Sequence, residues 1–140
     1  MNQEDANIQL LREAYLKWHE TKGGSANHWL ELMADNIRFQ SLAGGAPRME
    51  FTRTSTSKSD VRGYFSQLTS HWEMIYFTVD EFIAQGDRVV ALIRCSFRNR
   101  ETGKVLETAK ADVHRFRSGK ICEFFEYYDT AGAIAAATPG

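Results

Sequence analysis

Between Glu107 and Asp129 the chain reads ETAKADVHRFRSGKICEFFEYYD, two strand-length alternating segments that meet at Arg117-Ser118-Gly119-Lys120. A turn this short makes the two segments antiparallel neighbours. Side chains alternate faces along a strand, so Lys110, Asp112 and His114 share one face of the first segment, and Phe124, Glu126 and Tyr128 share one face of the second. Acids set among aromatics on one sheet face predict a lined pocket. A carboxyl held against apolar walls resists ionisation, which suits it to proton transfer or to donating a hydrogen bond to a developing oxyanion.

The rest of the chain supplies a frame for that hairpin. Ile8, Leu11, Tyr15 and Trp18 recur at helical spacing, with Leu10 and Ala14 widening the stripe, and predict an amphipathic helix over roughly residues 4 to 20 that Gly23-Gly24 ends. A shorter helix is expected from about Ser25 or Asn27, with Trp29, Leu30 and Met33 facing inward, followed by a short strand at Ile37, Arg38 and Phe39. Residues 41 to 56 have no sustained period and read as a loop, of the kind that often rims or covers a pocket. Ser57 and Asp60 resemble a helix start, and Val61, Tyr64, Phe65 and Leu68 place a third helix near 58 to 70. Strands follow at 74 to 84, 88 to 99, 104 to 116 and 120 to 129, a four-stranded antiparallel meander. Helices first and strands second predict an α+β domain in which three helices of the N-terminal half pack on a strongly curved, mostly antiparallel sheet. The tail from Ala131 to Ala137, rich in alanine, is either a short helix or a frayed end, and its side chains carry no chemistry.

Composition narrows the function. The 140 residues, 43% of them hydrophobic, fit one domain spanning 1–140 with residues 131–140 as a small-residue tail. Seventeen Lys and Arg against eighteen Asp and Glu give a net charge of -1, so nucleic acid and anionic membranes find no whole-chain attraction and neither is an expected partner. Arg94, Arg98, Arg100, Arg115 and Arg117 read as solvated strand edges or as a local anion site, the first being the simpler account. Cys95 and Cys122 lie in apolar strand-like runs without metal or redox spacing, and read as buried free thiols. With no apolar leader and no bilayer-length stretch, the expectation is an intracellular, cytoplasmic protein. His19, His28 and His71 lack metal-ligand spacing, and no glycine loop has the context that cradles phosphate, so neither a metal nor another cofactor is expected.

The order of elements, with LMADNIRF after the second helix and DVHRFRSGKICEFFEYYD near the end, resembles the nuclear transport factor 2-like superfamily, and within it the SnoaL-like and ketosteroid-isomerase-like branch. The resemblance covers nearly the whole chain and implies a cone-shaped fold that hosts isomerases, cyclases, epoxide hydrolases and proteins with no chemistry. In the isomerases a Tyr on the first helix and a protonated Asp on the penultimate strand hold the substrate oxyanion. Tyr15 and Asp112 fall at those positions. The carboxylate base that those isomerases place after the first short strand is replaced by Ser41. The epoxide hydrolases need an Arg and an Asp on an earlier inner strand, for which Arg94-Cys95-Ser96 is the nearest match and lacks the acid. The polyketide cyclases resembling SnoaL place an acid where Glu126 stands, beside a His-containing partner that His114 would supply, and Phe124 replaces a frequent His.

The resemblance therefore implies a pocket for a small apolar, oxygen-bearing ligand such as a polyketide, terpenoid or steroid-like ketone. Glu126 or His114 would move a proton without a cofactor, while Asp112 and Tyr15 polarise the carbonyl. Each residue also has a plainer account. Asp112 would pair with Lys110, Arg94 or a helix cap, Glu126 with an Arg across the sheet, and His114 and Tyr15 would be hydrogen-bonded or packed side chains. Trp18, Trp29, Phe39, Phe65, Phe124 and Tyr128 are expected as cavity wall or core. The alternatives in function are a non-catalytic ligand-binding or protein-interaction module, and an accessory subunit resembling the small subunits of aromatic-ring dioxygenases. Ile93, Cys95, Phe97, Ala109, Ala111, Val113, Phe125 and Tyr127 are read as the opposite, partly apolar sheet face, which a homodimer would bury.

Overall fold

A computed structural model describes residues 2–140. Its framework is one open five-stranded sheet in the order β1-β5-β4-β3-β2. The strands are β1 (Met33–Ser41), β2 (Trp72–Gln85), β3 (Arg88–Asn99), β4 (Val105–Arg117) and β5 (Lys120–Tyr128). The last four form the expected antiparallel meander, and β1 joins β5 in parallel. The sheet is mixed and curled, an α+β cone. Irregularities in the β2–β3 register, between Met74 and Tyr76 and between Val79 and Glu81, supply local twist that bends the long strands.

The helices are α1 (Gln3–Glu20), α2 (Ala26–Leu32), α3 (Lys58–His71) and α4 (Thr130–Ala137), with a 3-10 turn at Glu50–Thr52. The Asn2 side chain caps α1 by accepting from the Asp5 amide, and Asp5 and Glu4 place negative charge at its positive end. The Gly23 amide donates to the Trp18 carbonyl with φ near +87°, a left-handed exit that glycine takes without strain. Ser57 caps α3 through the Asp60 amide, and Asp60 in turn accepts from the Thr56 amide. Leu11, Ala14, Tyr15 and Trp18 of α1 meet Val61, Tyr64 and Phe65 of α3 in one buried cluster against the inner sheet face.

At the β4–β5 turn, Ser118 and Gly119 both have positive φ, 52° and 77°, the geometry that closes a two-residue hairpin. Arg117 then faces Lys120, and the register sets Asp112 opposite Glu126 and Lys110 opposite Tyr128.

Two details differ from the sequence reading, the extent of β1 and the face of three β3 residues, and one open alternative is decided. Strand β1 is nine residues long and begins at Met33, because its partner β5 lies more than 80 residues away and leaves no local signal. The alanine tail takes the helical one of its two expected forms: Ala133, Ala136 and Ala137 are buried with Leu106, Met49 and Trp72, and Thr102 donates to the Ala136 carbonyl. Ile93, Cys95 and Phe97 belong to the inner face, not the outer one. Their register partners Lys110, Thr108 and Leu106 point inward, and partners in register share a face. The outer face instead carries Ala109, Ala111, Val113, Phe125 and Tyr127 with Val90 and Ile83, which lie in register across the sheet. The arginines are surface groups: Arg94 pairs with Asp80, Arg98 with Glu73, and Arg115 with Asp87 and Glu123. Both cysteines are free and buried. No helix among the described residues is long and apolar enough to cross a membrane.

Asp129 starts α4 by accepting from the Gly132 amide at 2.8 Å. Asp129→Ala should cost about 1 kcal/mol and Asp129→Asn less, since only the amide retains an acceptor. Urea unfolding of both variants checks this, and equal losses would remove the capping role.

Candidate functional site

Alternate residues of β4, Leu106, Thr108, Lys110, Asp112 and His114, form one wall of a cavity of about 90 Å³. At roughly 3.4 Å per residue that wall extends over more than 25 Å of strand. Phe124, Glu126 and Tyr128 of β5 and Phe77, Cys95 and Phe97 of β2 and β3 continue it. Helix α1 contributes Tyr15 and Trp18, α2 Trp29, and α3 Tyr64, Phe65 and Leu68. Phe39 of β1 stacks on Phe124 with ring centroids 4.3 Å apart. Met49, Trp72 and Ala133 line the end under α4. All ten residues singled out in the sequence, Tyr15, Trp18, Trp29, Phe39, Phe65, Asp112, His114, Phe124, Glu126 and Tyr128, lie on this lining.

Midway along the cavity lies a buried charge cluster. Lys110 Nζ is 2.8 Å from Glu126 Oε1 and 3.3 Å from Asp112 Oδ1, and both acids are nearly inaccessible. Asp112 pairs with Lys110, as its plainer account expects, and Glu126 pairs with the same Lys in place of an Arg. Tyr15 donates to Asp112 Oδ2 at 2.6 Å, and Tyr64 donates to Glu126 Oε2 at 2.7 Å. The ammonium also lies 5.1 Å from the centre of the Phe77 ring. Asp112 Oδ1, although within ion-pair distance of Lys110, has no hydrogen bond in line with it.

Burial pushes the Asp112 carboxyl above the usual carboxylate range, against the opposing pull of Lys110 and with the help of Glu126. Burial works against the charge of Lys110, but the Asp112 and Glu126 carboxylates outweigh it and hold the ammonium protonated well above the usual lysine range. Desolvation, reinforced by the neighbouring acids, raises the Tyr15 and Tyr64 hydroxyls, which therefore remain donors.

The Tyr15 hydroxyl also lies 2.7 Å from His114 Nε2. Tyr15 has one proton, and it points to Asp112. Hydrogen-bond logic thus assigns a proton to Nε2, which donates to the Tyr15 oxygen, and leaves Nδ1 a bare acceptor. His114 Nδ1 is indeed buried without a partner, as is Trp29 Nε1. The His114 ring stacks on Trp29 and is held neutral: burial first, and then Lys110, lower its pKa to about 3. Ser41, where the isomerase resemblance places a base, is buried with its hydroxyl 2.9 Å from that of Tyr128. Burial raises the Tyr128 hydroxyl to about 12 and the Cys95 thiol to about 12, so neither is a ready nucleophile. Among the described residues no three His, Cys, Asp or Glu side chains converge as a metal site.

The sequence places Lys110 on the inward face as a partner for Asp112 but does not link it to Glu126, and it gives Tyr64 no polar role. Lys110 sits on the same strand face as Asp112 and His114, and that alternation was its only signal. Tyr64 was visible only as one member of a helical stripe.

The family described as SnoaL-like domain matches residues 13–124. No curated protein matches by sequence. Among solved structures, an NTF2-like protein of unknown function from Burkholderia pseudomallei is 26% identical, covering 95% of this chain and 98% of that one, with a TM-score of 0.84. A candidate SnoaL-like polyketide cyclase from Jannaschia is 14% identical over 98% of this chain and 95% of that one, with a TM-score of 0.79. A protein of ketosteroid isomerase-like fold from Catenulispora acidiphila, in complex with trimethylamine, is 18% identical over 88% of this chain and 90% of that one, with a TM-score of 0.71. The last two likenesses concern the fold.

The neutral His114 has a consequence for stability. An unfolded His protonates below about pH 6.5, whereas the buried ring does so only near pH 3. The unfolded state therefore binds more protons in that window, and stability falls as pH falls through it, by at most about 1.4 kcal/mol per pH unit. Asp112 acts with the opposite sign, because its folded carboxyl keeps a proton that the unfolded one releases. Urea unfolding between pH 6.5 and 4.5 should show a steeper loss for the wild type than for His114→Gln. Equal slopes would mean that the ring titrates alike in both states.

Proposed function

Because the chain belongs to the SnoaL-like domain family, we propose that its cavity binds a small apolar, oxygen-bearing molecule of polyketide, terpenoid or steroid-like type and catalyses a cofactor-free proton transfer on it. The observation that carries this reading is the placement of two carboxylates, Asp112 and Glu126, side by side on the wall of an otherwise aromatic and aliphatic cavity. A candidate polyketide cyclase and a trimethylamine complex among the structural neighbours support the small-molecule part of it.

The roles follow from the hydrogen bonds. Asp112 presents Oδ1, which accepts no hydrogen bond from the protein, while Tyr15 holds Oδ2. In its protonated form Asp112 donates from Oδ1 to the ligand carbonyl. Tyr15 and His114 are positioning residues, since the one Tyr15 proton is committed to Asp112 and Nε2 of His114 to Tyr15. Glu126, oriented by Tyr64, takes a proton from the carbon next to the carbonyl. The C–H electron pair becomes the C=C bond of an enol or enolate, and return of the proton to a different carbon completes an isomerisation or sets up ring closure. Ser41 is the register partner of Glu126 across β1 and β5, so the carboxylate lies one strand from where the isomerase resemblance expects it.

The second reading, a non-catalytic binding module, draws on the pairing of both acids with Lys110. Two measurements separate them. Thermal stabilisation across ketosteroids, polyketide intermediates, terpenoid epoxides and phenols should yield hits that weaken in Asp112→Leu, because binding to the folded state raises the melting temperature. A hit with an enolisable carbon should then exchange that hydrogen with deuterated water, at a rate at least about 100-fold lower in Glu126→Gln. Binding without any exchange would leave the module; an absence of hits would remove the pocket reading.

We also propose that a second copy of the chain covers the outer sheet face, where Tyr127 stacks on Phe125 and Ile83 is half exposed. Charge at the centre of such a face opposes association. Phe125→Glu or Ala111→Glu should sediment as a monomer under conditions in which the wild type is a dimer, and a dimeric Phe125→Glu would rule out this interface.

A further inference from the structure

The proton-transfer reading leaves one charged side chain of the cavity wall unused. Lys110 is the cavity's sole charged donor among the described lining residues, since His114 is neutral and the arginines already described pair at the surface. An ammonium has three N–H groups. Two carboxylate oxygens lie within ion-pair distance of Lys110, and the face of Phe77, itself part of the lining, lies beside the ammonium. At least one N–H is therefore free for a ligand. Tyr15, the other donor that the family resemblance offers for the carbonyl, has no proton to spare.

The charges around Lys110 also restrict what it accepts. One ammonium between two carboxylates sums to -1 when both acids are ionised and to zero when one holds a proton. A bound carboxylate or phenolate would add a second uncompensated negative charge inside apolar walls. A neutral carbonyl adds none, and it gains an N–H donor whose attraction grows as charge develops on the oxygen.

Resting on the reading above, we propose that Lys110 is a carbonyl-binding residue of this cavity, and that the cluster it forms with Asp112 and Glu126 selects uncharged ketones and enones over anions of the same shape. The interaction with Lys110 is stronger for an enolate than for the ketone it comes from, so it favours proton removal by Glu126 as well as binding.

Acetophenone and benzoate, each labelled with ¹³C at the carbonyl or carboxyl carbon, test both parts. Binding is read from melting temperature and from ¹³C titration, and carbonyl polarisation from the resonance of the bound ketone. The wild type should bind acetophenone at least tenfold more tightly than benzoate at pH 7.5. The ketone resonance should move downfield of its position in cyclohexane. Lys110→Met should lose most of that movement, and Lys110→Arg should keep a measurable part. Because Lys110→Met leaves two buried acids without a cation, Lys110→Met/Glu126→Met, which retains Asp112 and Tyr15, provides the same readout if the single variant does not fold. Binding with a resonance that Lys110 substitutions do not move, or benzoate bound as tightly as acetophenone, would overturn the assignment and leave the pocket. No stabilisation by either compound would overturn it together with the carbonyl-ligand reading on which it rests.

Discussion

One ammonium between two carboxylates, deep in an apolar cavity, is the constraint around which the rest of the site is arranged. Taking three charged groups out of water is costly, and their mutual attraction offsets that cost only when the remaining lone pairs are also satisfied. The helices meet that demand. Tyr15 on α1 reaches Asp112, and Tyr64 on α3 reaches Glu126, so each acid is tied to a different helix by a hydrogen bond of 2.6 to 2.7 Å. Loss of either hydroxyl would strand a buried acceptor, which ties the position of both helices to the sheet more tightly than apolar contact alone. The cross-strand register of β4 and β5 does the remaining work, since a slip of one strand by one residue would put Asp112 and Glu126 on opposite faces of the sheet.

What was legible in the sequence was whatever depends on local periodicity. The alternation of β4 and β5, the Ser118-Gly119 turn and the stripes of α1 and α3 are written in neighbouring residues, and from them the inward set Lys110, Asp112, His114, Phe124, Glu126 and Tyr128 can be read. The relation of β3 to β4 was not legible in the same way. The Asn99 to Lys104 connection does not declare its register, and either parity of β3 is apolar enough to be the inner one. Ile93, Cys95 and Phe97 consequently read as outer-face residues although they lie on the inner one. The parallel β1–β5 pair was hidden for a different reason: it joins segments whose only relation is through the folded sheet.

Lys110 shows a further limit of pattern reading. A Lys flanked by Ala109 and Ala111 on a strand ordinarily reads as a solvated charge, because lysine is rarely buried without a partner. The partners are Asp112, two residues on, and Glu126, across the hairpin, and both were already in view. Counting charge on the inward face, two acids and one base, would have raised the question of how the imbalance is accommodated. The same count explains why His114 stays neutral. A second cation at that depth would itself require desolvation beside Lys110, and its Nε2–H is better used in fixing Tyr15.

The position of Glu126 shows how this scaffold would relocate a catalytic base without changing shape. Neighbouring strands are about 4.8 Å apart, so partners in register present their side chains to nearly the same region of the cavity. Ser41 and Glu126 are such partners. Where the isomerase resemblance places a carboxylate on β1, this chain has a hydroxyl that holds Tyr128, and the carboxylate stands on β5 beside it. The exchange brings the carboxylate into contact with Lys110 and opposite Asp112, which a residue at the end of β1 would not be. Under the proton-transfer reading, acid, base and carbonyl donor then lie on one hairpin, and the helices serve to orient them and to keep water away. The remaining variables are the apolar walls and the end under α4, where Ala133 faces the cavity beside Met49 and Trp72. Those surfaces carry no proton chemistry, so they are where substrate shape would be set independently of the reaction.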